Sequence, residues 1–301
     1  GGRVRVEKKG RVHLIEVGRV TARGPAPRHA RCDREEEAEK CFIVAQRVEP
    51  LKGDQHGLAD DVRYYGTWMR DRAFERVGHF YPKEKLPGGA EATVLAWLWS
   101  RTVACPNPAC GAEMPLVRSF ALSTKKGKER HIEPLVDPER RAVRFDVQSG
   151  GDVPDGTVGR AGAVCIVCGE SVPLTYVRTE GQQGRMGSTL LATVCEGDRQ
   201  RVYVAPSDEQ AAVAAAAVPQ WGPSGATPQR LTGGTCYGYG LTEWADLFTP
   251  RQLVALGTLT ELVAEARAKL IADGADSEYA DAVATYLGLA VSKTADGNST
   301  L

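Results

Sequence analysis

The sequence predicts a mixed α+β fold, with strands in the middle of the chain and helices at its end. Short apolar stretches separated by Gly-rich turns run through residues 114–205, a pattern typical of strands. Apolar residues recur at helical spacing between Leu253 and Leu270. Hydrophobic residues make up 42% of the 301 positions, so the chain can build a buried core.

The charge balance excludes a protein that is strongly basic as a whole. The chain has 38 Lys and Arg against 38 Asp and Glu. Charge is nevertheless uneven, because residues 117–145 carry eight basic and four acidic side chains while residues 241–301 carry four basic and nine acidic ones. A nucleic-acid contact would therefore be local and would lie in the middle of the chain.

The beginning of the chain indicates neither secretion nor a membrane anchor. No apolar run approaches the roughly 18 residues of a membrane span, and the first residues lack the apolar core of a signal peptide. We therefore expect a cytoplasmic protein without a membrane partner. The absence of an initiating Met suggests a fragment or a processed piece.

The first third of the chain gives one clear element. Residues 1–56 are a poorly patterned N-terminal segment, in which 12–17 is predicted as a short strand. Residues 59–78 are predicted as a helix, because Val62, Tyr65, Met69 and Phe74 fall near one side. The strongly apolar run 91–104 is predicted as a helix followed by a strand.

The later chain divides into a linker and a helical part. A region 57–205, with the first helix and the strands, is followed by an Ala-, Pro- and Gly-rich linker at 206–235 and a helical segment at 236–301. Thr249 can cap a helix that begins at Pro250, and Gln252 can reach back to complete a capping box. A second helix is predicted over 277–291.

Four cysteines have the spacing of a metal site. Cys105 and Cys110 form a C-x4-C pair, Cys165 and Cys168 form a C-x2-C pair, and a Gly follows each pair. Two such knuckles give the four thiolates of a closed, tetrahedral zinc site, which is structural because no position is left for water. The intervening residues must then fold as extra strands, so we expect zinc-ribbon β-hairpins with inserted strands, flanked by helices.

Other interpretations of the cysteines remain open. The four could be buried free thiols, or they could hold an iron–sulfur or redox centre. The remaining cysteines and the five histidines show no ligand spacing and are expected to be core or surface residues; the cysteines are Cys32, Cys41, Cys195 and Cys236.

Basic residues follow the first cysteine pair. A Lys-Lys-Gly-Lys sequence between two predicted strands could contact DNA phosphates or could be an ordinary solvated hairpin tip. The candidate DNA-contacting residues are Arg118, Lys125, Lys126, Lys128 and Arg130.

Several stretches, in this order, resemble the adenine-specific DNA methylases that contain a zinc ribbon and an amino-terminal domain of unknown function, some of them linked to anti-phage defence. The resemblance covers roughly residues 57–301. The stretches are Asp61–Gly66, Trp97–Leu116, Leu122–Lys128, Gly240 with Asp246–Leu253, Tyr279–Leu287 and Asn298–Leu301.

The resemblance implies S-adenosylmethionine as methyl donor and the N6 amine of adenine in DNA as acceptor. The two motifs that such enzymes use, a donor-binding Asp-Pro-Phe-x-Gly-x-Gly loop and a catalytic Asp/Asn-Pro-Pro-Tyr motif, do not occur in this sequence. We therefore expect no catalytic and no donor-binding residue here. The chain would be the internal segment between the two motifs, with the rest of the methyltransferase and DNA as partners.

Two further hypotheses remain open at this stage. The chain could be a stand-alone zinc-ribbon module that binds nucleic acid or protein, or an insert that only braces a catalytic domain. A neighbouring coding sequence that lacked both methylase motifs would favour the stand-alone binding module.

Overall fold

A computed structural model describes residues 14–16, 57–198, 200–230 and 235–299. Most of the N-terminal segment 1–56 therefore lies outside the described residues, as do Cys32 and Cys41. Within the strand predicted over 12–17, Leu14–Glu16 are a strand.

The structure confirms a mixed α+β fold. The strands are β1 (Leu14–Glu16), β2 (Glu84–Lys85), β3 (Glu91–Ala92), β4 (Val94–Ala104), β5 (Glu113–Pro115), β6 (Ala121–Ser123), β7 (Arg130–Asp137), β8 (Ala142–Ser149), β9 (Ala163–Val164), β10 (Ser171–Val172), β11 (Gly187–Gly197) and β12 (Gln200–Val204). The α-helices are α1 (Leu58–Val77), α2 (Leu174–Gln182), α3 (Asp208–Ala215), α4 (Thr235–Gly238), α5 (Pro250–Ala272) and α6 (Ser277–Asn298).

The described residues fall into two compact units. The cysteine-containing unit comprises β1 and residues 79–254, and the helical unit comprises 57–78 with 255–297. This division differs from the one predicted from the sequence, which grouped the first helix with the cysteine region. The helix joins the later helices because Tyr65 and Met69 share a core with residues of the two C-terminal helices. Phe74, expected on the same side of this helix, is instead exposed.

The central strand of the cysteine-containing unit is β4. The sheet order is β1-β4-β11-β12 with β5 added to β4, and every pairing is antiparallel. The expected helix at the start of the run 91–104 is wrong, because residues 94–104 form one strand. Both faces of β4 are covered, Ala96 and Leu98 by one apolar cluster and Trp97 by another, so the strand lacks the polar alternation that identifies a half-buried strand.

The residues between the two cysteine pairs fold as inserted strands, as predicted. β6, β7 and β8 form a separate antiparallel sheet. Its buried residues Ile132 and Phe145 pack in one cluster with Leu98 of β4 and Leu191 of β11. The insert is therefore a second layer on one face of the central sheet.

The expected linker at 206–235 contains a helix, α3. Gln210 of α3 is 2% exposed and accepts a hydrogen bond from Trp97 Nε1 at 2.7 Å, while Ser207 caps the helix through Gln210 N. The alanines that suggested a small-residue linker are also the strongest helix formers, and a polar contact with the central sheet holds this helix in place.

The capping box at the start of α5 is present as predicted. Gln252 N donates to Thr249 Oγ1 at 3.3 Å, and Thr249 N donates to Gln252 Oε1 at 2.6 Å. The helical unit has its own core, in which the fully buried residues Leu262, Leu270 and Val283 pack with Tyr65.

Candidate metal centre

The first cysteine pair lies at the tip of the β4–β5 hairpin. The strands pair from Thr102 with Pro115 to Ala104 with Glu113, so the chain must turn through Cys105–Ala112. Cys110 N donates to Asn107 O at 2.9 Å, and Gly111 adopts a left-handed backbone with φ of +60°. A Gly follows the pair because this turn requires a conformation that side chains disfavour.

The second cysteine pair forms a matching turn on the β9–β10 hairpin. Val164 pairs with Ser171, and Cys165 N donates to Glu170 O at 2.8 Å. Gly169 N closes the turn on Cys165 O at 2.8 Å, with φ of +76° at Gly169. Both pairs therefore form the same local device, a knuckle at a hairpin tip that places two sulfurs on one side.

The two knuckles bring four sulfurs together. The Sγ atoms of Cys105, Cys110, Cys165 and Cys168 all lie within 4.8 Å of one another. Two of these distances join one knuckle to the other, 3.7 Å from Cys105 to Cys168 and 3.9 Å from Cys110 to Cys165. Metal–sulfur bonds of about 2.3 Å in a tetrahedron require sulfurs about 3.8 Å apart, so the arrangement can hold a metal ion.

The surroundings of the thiols differ within the cluster. Burial raises the pKa of the Cys105 thiol to about 12, and burial also raises the pKa of Cys165. Cys168 is exposed, and a hydrogen bond from the Glu170 backbone N–H lowers the pKa of its thiol. Binding of a metal would therefore release protons, and the exposed thiol is the one that most readily becomes a thiolate.

A hydrogen-bond network around Thr157 fixes the second hairpin beside the first. Thr157 is buried; its hydroxyl donates to Pro115 O and accepts from Val117 N at 2.9 Å. Its backbone carbonyl accepts from Val164 N at 2.8 Å. The sequence does not predict this role, because a single Thr in a Gly-rich loop carries no signal of it.

Helix α2 covers the cluster from the side of the second hairpin. Val177 packs in one apolar cluster with Cys105, Cys110 and Cys165. Tyr176 Oη donates to the carbonyl of Ala104, the residue before Cys105, at 3.0 Å. The cysteine cluster is therefore part of the hydrophobic core of its unit, which suits a structural site more than a reactive one.

Of the cysteines without pair spacing, the two in the described residues lie outside the cluster, as expected. Cys195 and Cys236 are buried and outside the four-sulfur group. Burial raises the pKa of Cys195 to about 11. Within the described part of the chain, no second group of three or more potential ligands is present.

The structure brings four of the five basic candidates together. Lys125, Lys126 and Lys128 lie in the exposed turn between β6 and β7, and Arg130 begins β7. Lys128 N donates to Lys125 O at 2.8 Å, and Gly127 has φ of +75°, so the turn is tight. We call the three lysines and Arg130 the basic tip. Arg118 is exposed but precedes β6, at the end of that strand away from the tip.

Comparison of the chain with protein-family models, curated proteins and solved structures found no match. The four-cysteine cluster and the basic tip are thus the features of the described residues on which a function can be argued. In the part of the chain that the structure describes, no helix has both the length and the apolar character that crossing a membrane requires.

Proposed function

We propose that the four cysteines hold a structural zinc ion. The convergence of four sulfurs from two knuckles, at distances that fit a tetrahedron, carries this proposal. Thiolates are soft ligands that favour zinc or iron over magnesium or calcium, and four of them leave no open position for catalysis. The zinc would hold the two hairpins together. The second of them, β9–β10, has only two residue pairs between its own strands.

We further propose that the chain is an internal, non-catalytic segment of an S-adenosylmethionine-dependent, adenine-specific DNA methyltransferase. This proposal rests on the ordered motifs of residues 57–301 described above. The absence of donor-binding and catalytic motifs from the sequence agrees with a segment that lies between them. Zinc would act here as scaffold, and methyl transfer would belong to other parts of the enzyme.

A DNA contact through the basic tip completes the proposal. Lys125, Lys126 and Lys128 are exposed, and none of the ion pairs in the described residues includes them. Their ammonium groups can therefore neutralise phosphates without first breaking an ion pair. Such contacts position a protein on the duplex and carry no sequence information directly.

Metal analysis tests the zinc proposal. We expect about one zinc per folded chain, lost in a Cys105→Ser/Cys168→Ser variant and retained in Cys195→Ser, which changes a buried cysteine outside the cluster. Iron in place of zinc would favour the iron–sulfur or redox interpretation. A folded native chain without metal would contradict a structural metal site.

Methylation and DNA-binding assays test the rest of the proposal. The purified chain should transfer no methyl group from labelled S-adenosylmethionine to DNA, and detectable transfer would contradict the non-catalytic assignment. Joint Ala substitution of the basic tip should weaken DNA binding and flatten its salt dependence; the four positions are Lys125, Lys126, Lys128 and Arg130. An unchanged affinity and salt slope would favour the insert that only braces the enzyme.

A further inference from the structure

A second hairpin lies directly beside the basic tip. Lys128 Nζ donates to Oε1 of Gln200, the first residue of β12, at 3.1 Å. Further along, Tyr203 Oη donates to Leu122 O in β6 at 3.4 Å. Two contacts, one at the turn and one within the strands, align the β11–β12 hairpin with the β6–β7 hairpin.

Arg201 is the basic residue that this alignment adds. Side chains alternate along a strand, so Arg201 lies on the same face of β12 as Tyr203, the face that packs against the inserted sheet. Tyr203 is partly buried there, whereas Arg201 is exposed and two residues nearer the turn. Arg201 is therefore an exposed neighbour of Gln200, the residue that contacts the basic tip through Lys128.

The combined charge of the two hairpin tips is positive. Among the described residues, five basic side chains lie at or next to the two tips, and none of them takes part in an ion pair there; they are Lys125, Lys126, Lys128, Arg130 and Arg201. Three acidic residues lie close in sequence, Glu129, Glu196 and Asp198, and Glu196 is opposite Arg201 in the strand pairing. Five basic against three acidic residues leave an excess of positive charge, and all of the five except the partly buried Arg130 are exposed.

We propose that Arg201 and the basic tip form one surface that contacts the phosphates of double-stranded DNA, with Arg201 as a second point of attachment beside the lysines. This inference rests on the proposed DNA contact and deepens it. An Arg that projects from a paired strand loses less conformational freedom on binding than a Lys in a turn, and its planar group can hold one phosphate with two hydrogen bonds. Gln200 would keep the two tips in register through Lys128.

The test compares Arg201→Ala with the joint Ala variant of the basic tip and with the combination of the two, all in the full chain. The measured quantity is the Kd for a duplex of random sequence, followed by fluorescence anisotropy over a series of salt concentrations. Arg201→Ala should weaken binding and lower the slope of log Kd against log salt by about 1, because one phosphate contact is lost.

Arg140→Ala is the matched control. Arg140 is exposed and lies in the turn that follows the far end of β7. At the rise of a strand, this end of β7 is about 23 Å from Arg130. Its removal changes the net charge equally but should leave the slope unchanged. An equal effect of both variants would show that only overall charge matters and would overturn the inference.

The outcomes separate this inference from the function on which it rests. Weaker binding by the Lys125, Lys126, Lys128 and Arg130 variant together with native binding by Arg201→Ala would overturn the second attachment point and leave the tip contact standing. Native binding by the tip variant and by Arg201→Ala would overturn the tip contact as well as the second attachment point. Loss of slope in each, with additive effects in the combined variant, is the result we expect.

Discussion

At the scale of single residues, the cysteine cluster combines thiols with opposite tendencies. Burial raises the pKa of Cys105, whereas the backbone N–H of Glu170 lowers the pKa of the exposed Cys168. A thiol reacts through its thiolate. The greater exposure and the lower pKa of Cys168 therefore both make it more reactive than Cys105.

Alkylation can measure this difference. In the metal-free protein, iodoacetamide at pH 7.5 (about one unit below the usual thiol pKa) should modify Cys168 well before Cys105, because only Cys168 is both exposed and partly ionised. Bound metal should protect both. Peptide mass spectrometry over a time course gives the order, and faster modification of Cys105 would contradict the described burial.

The backbones at Gly181 and Gly240 pack so closely that neither position has room for a side chain. A Cβ on Gly240, which has φ of +83°, would lie 2.1 Å from the carbonyl oxygen of Gly181, and a Cβ on Gly181 would lie 2.3 Å from Tyr239 O. The close approach joins the end of α2, the helix that covers the cysteine cluster, to the segment that follows α4.

Gly240→Ala should therefore destabilise the protein by at least about 2 kcal/mol, since backbone strain and a steric clash act together. Gly238→Ala is the control, because a Cβ there meets nothing within 4 Å. Urea unfolding measures both variants. Equal stabilities would show that the contact between the two glycines can relax at little cost.

At the scale of elements, local signals decide where α5 begins. Thr249 and Gln252 each hold a backbone N–H of the other, and Pro250 occupies the first helical position without needing a donor. The same local logic applies to the knuckles, in which the Gly after each cysteine pair permits the turn. These devices depend on a few neighbouring residues, which is why the sequence predicts them.

Thr249→Ala should lower the free energy of unfolding by about 1 kcal/mol, since the cap of α5 is lost. Thr249→Ser keeps the hydroxyl and should lose only a small part of that stability. Thermal unfolding followed by circular dichroism compares the two. A Ser variant as unstable as the Ala variant would point to the methyl group of Thr249 in place of the cap.

At the scale of the whole molecule, each unit has its own hydrophobic core. The core of the cysteine-containing unit includes three of the four cysteines, whereas that of the helical unit contains none. Removal of the metal should therefore affect the first core directly, and damage to the helical core should leave the metal site loaded.

Leu262→Ala tests this separation, because Leu262 is 0% exposed within the helical core. We expect a loss of about 2–5 kcal/mol in the stability of that unit. The amount of metal per chain should remain that of the native protein. Loss of metal from a chain whose cysteine-containing unit is still folded would contradict separate cores.

The sequence by itself determined the four cysteines that cluster, the glycines after them, the start of α5 and the mixed α+β class. Each of these depends on spacing or on contacts within a few residues. Only the tertiary structure decided that residues 94–104 are all strand, that α3 occupies the expected linker, and that α1 joins the C-terminal helices. Each of these features depends on a partner that lies far away in the chain. For β4 the partners are the apolar clusters on its two faces, for α3 the partner of Gln210 is Trp97, and for α1 the partners are the C-terminal helices. Such partners leave no periodic signal in the local sequence.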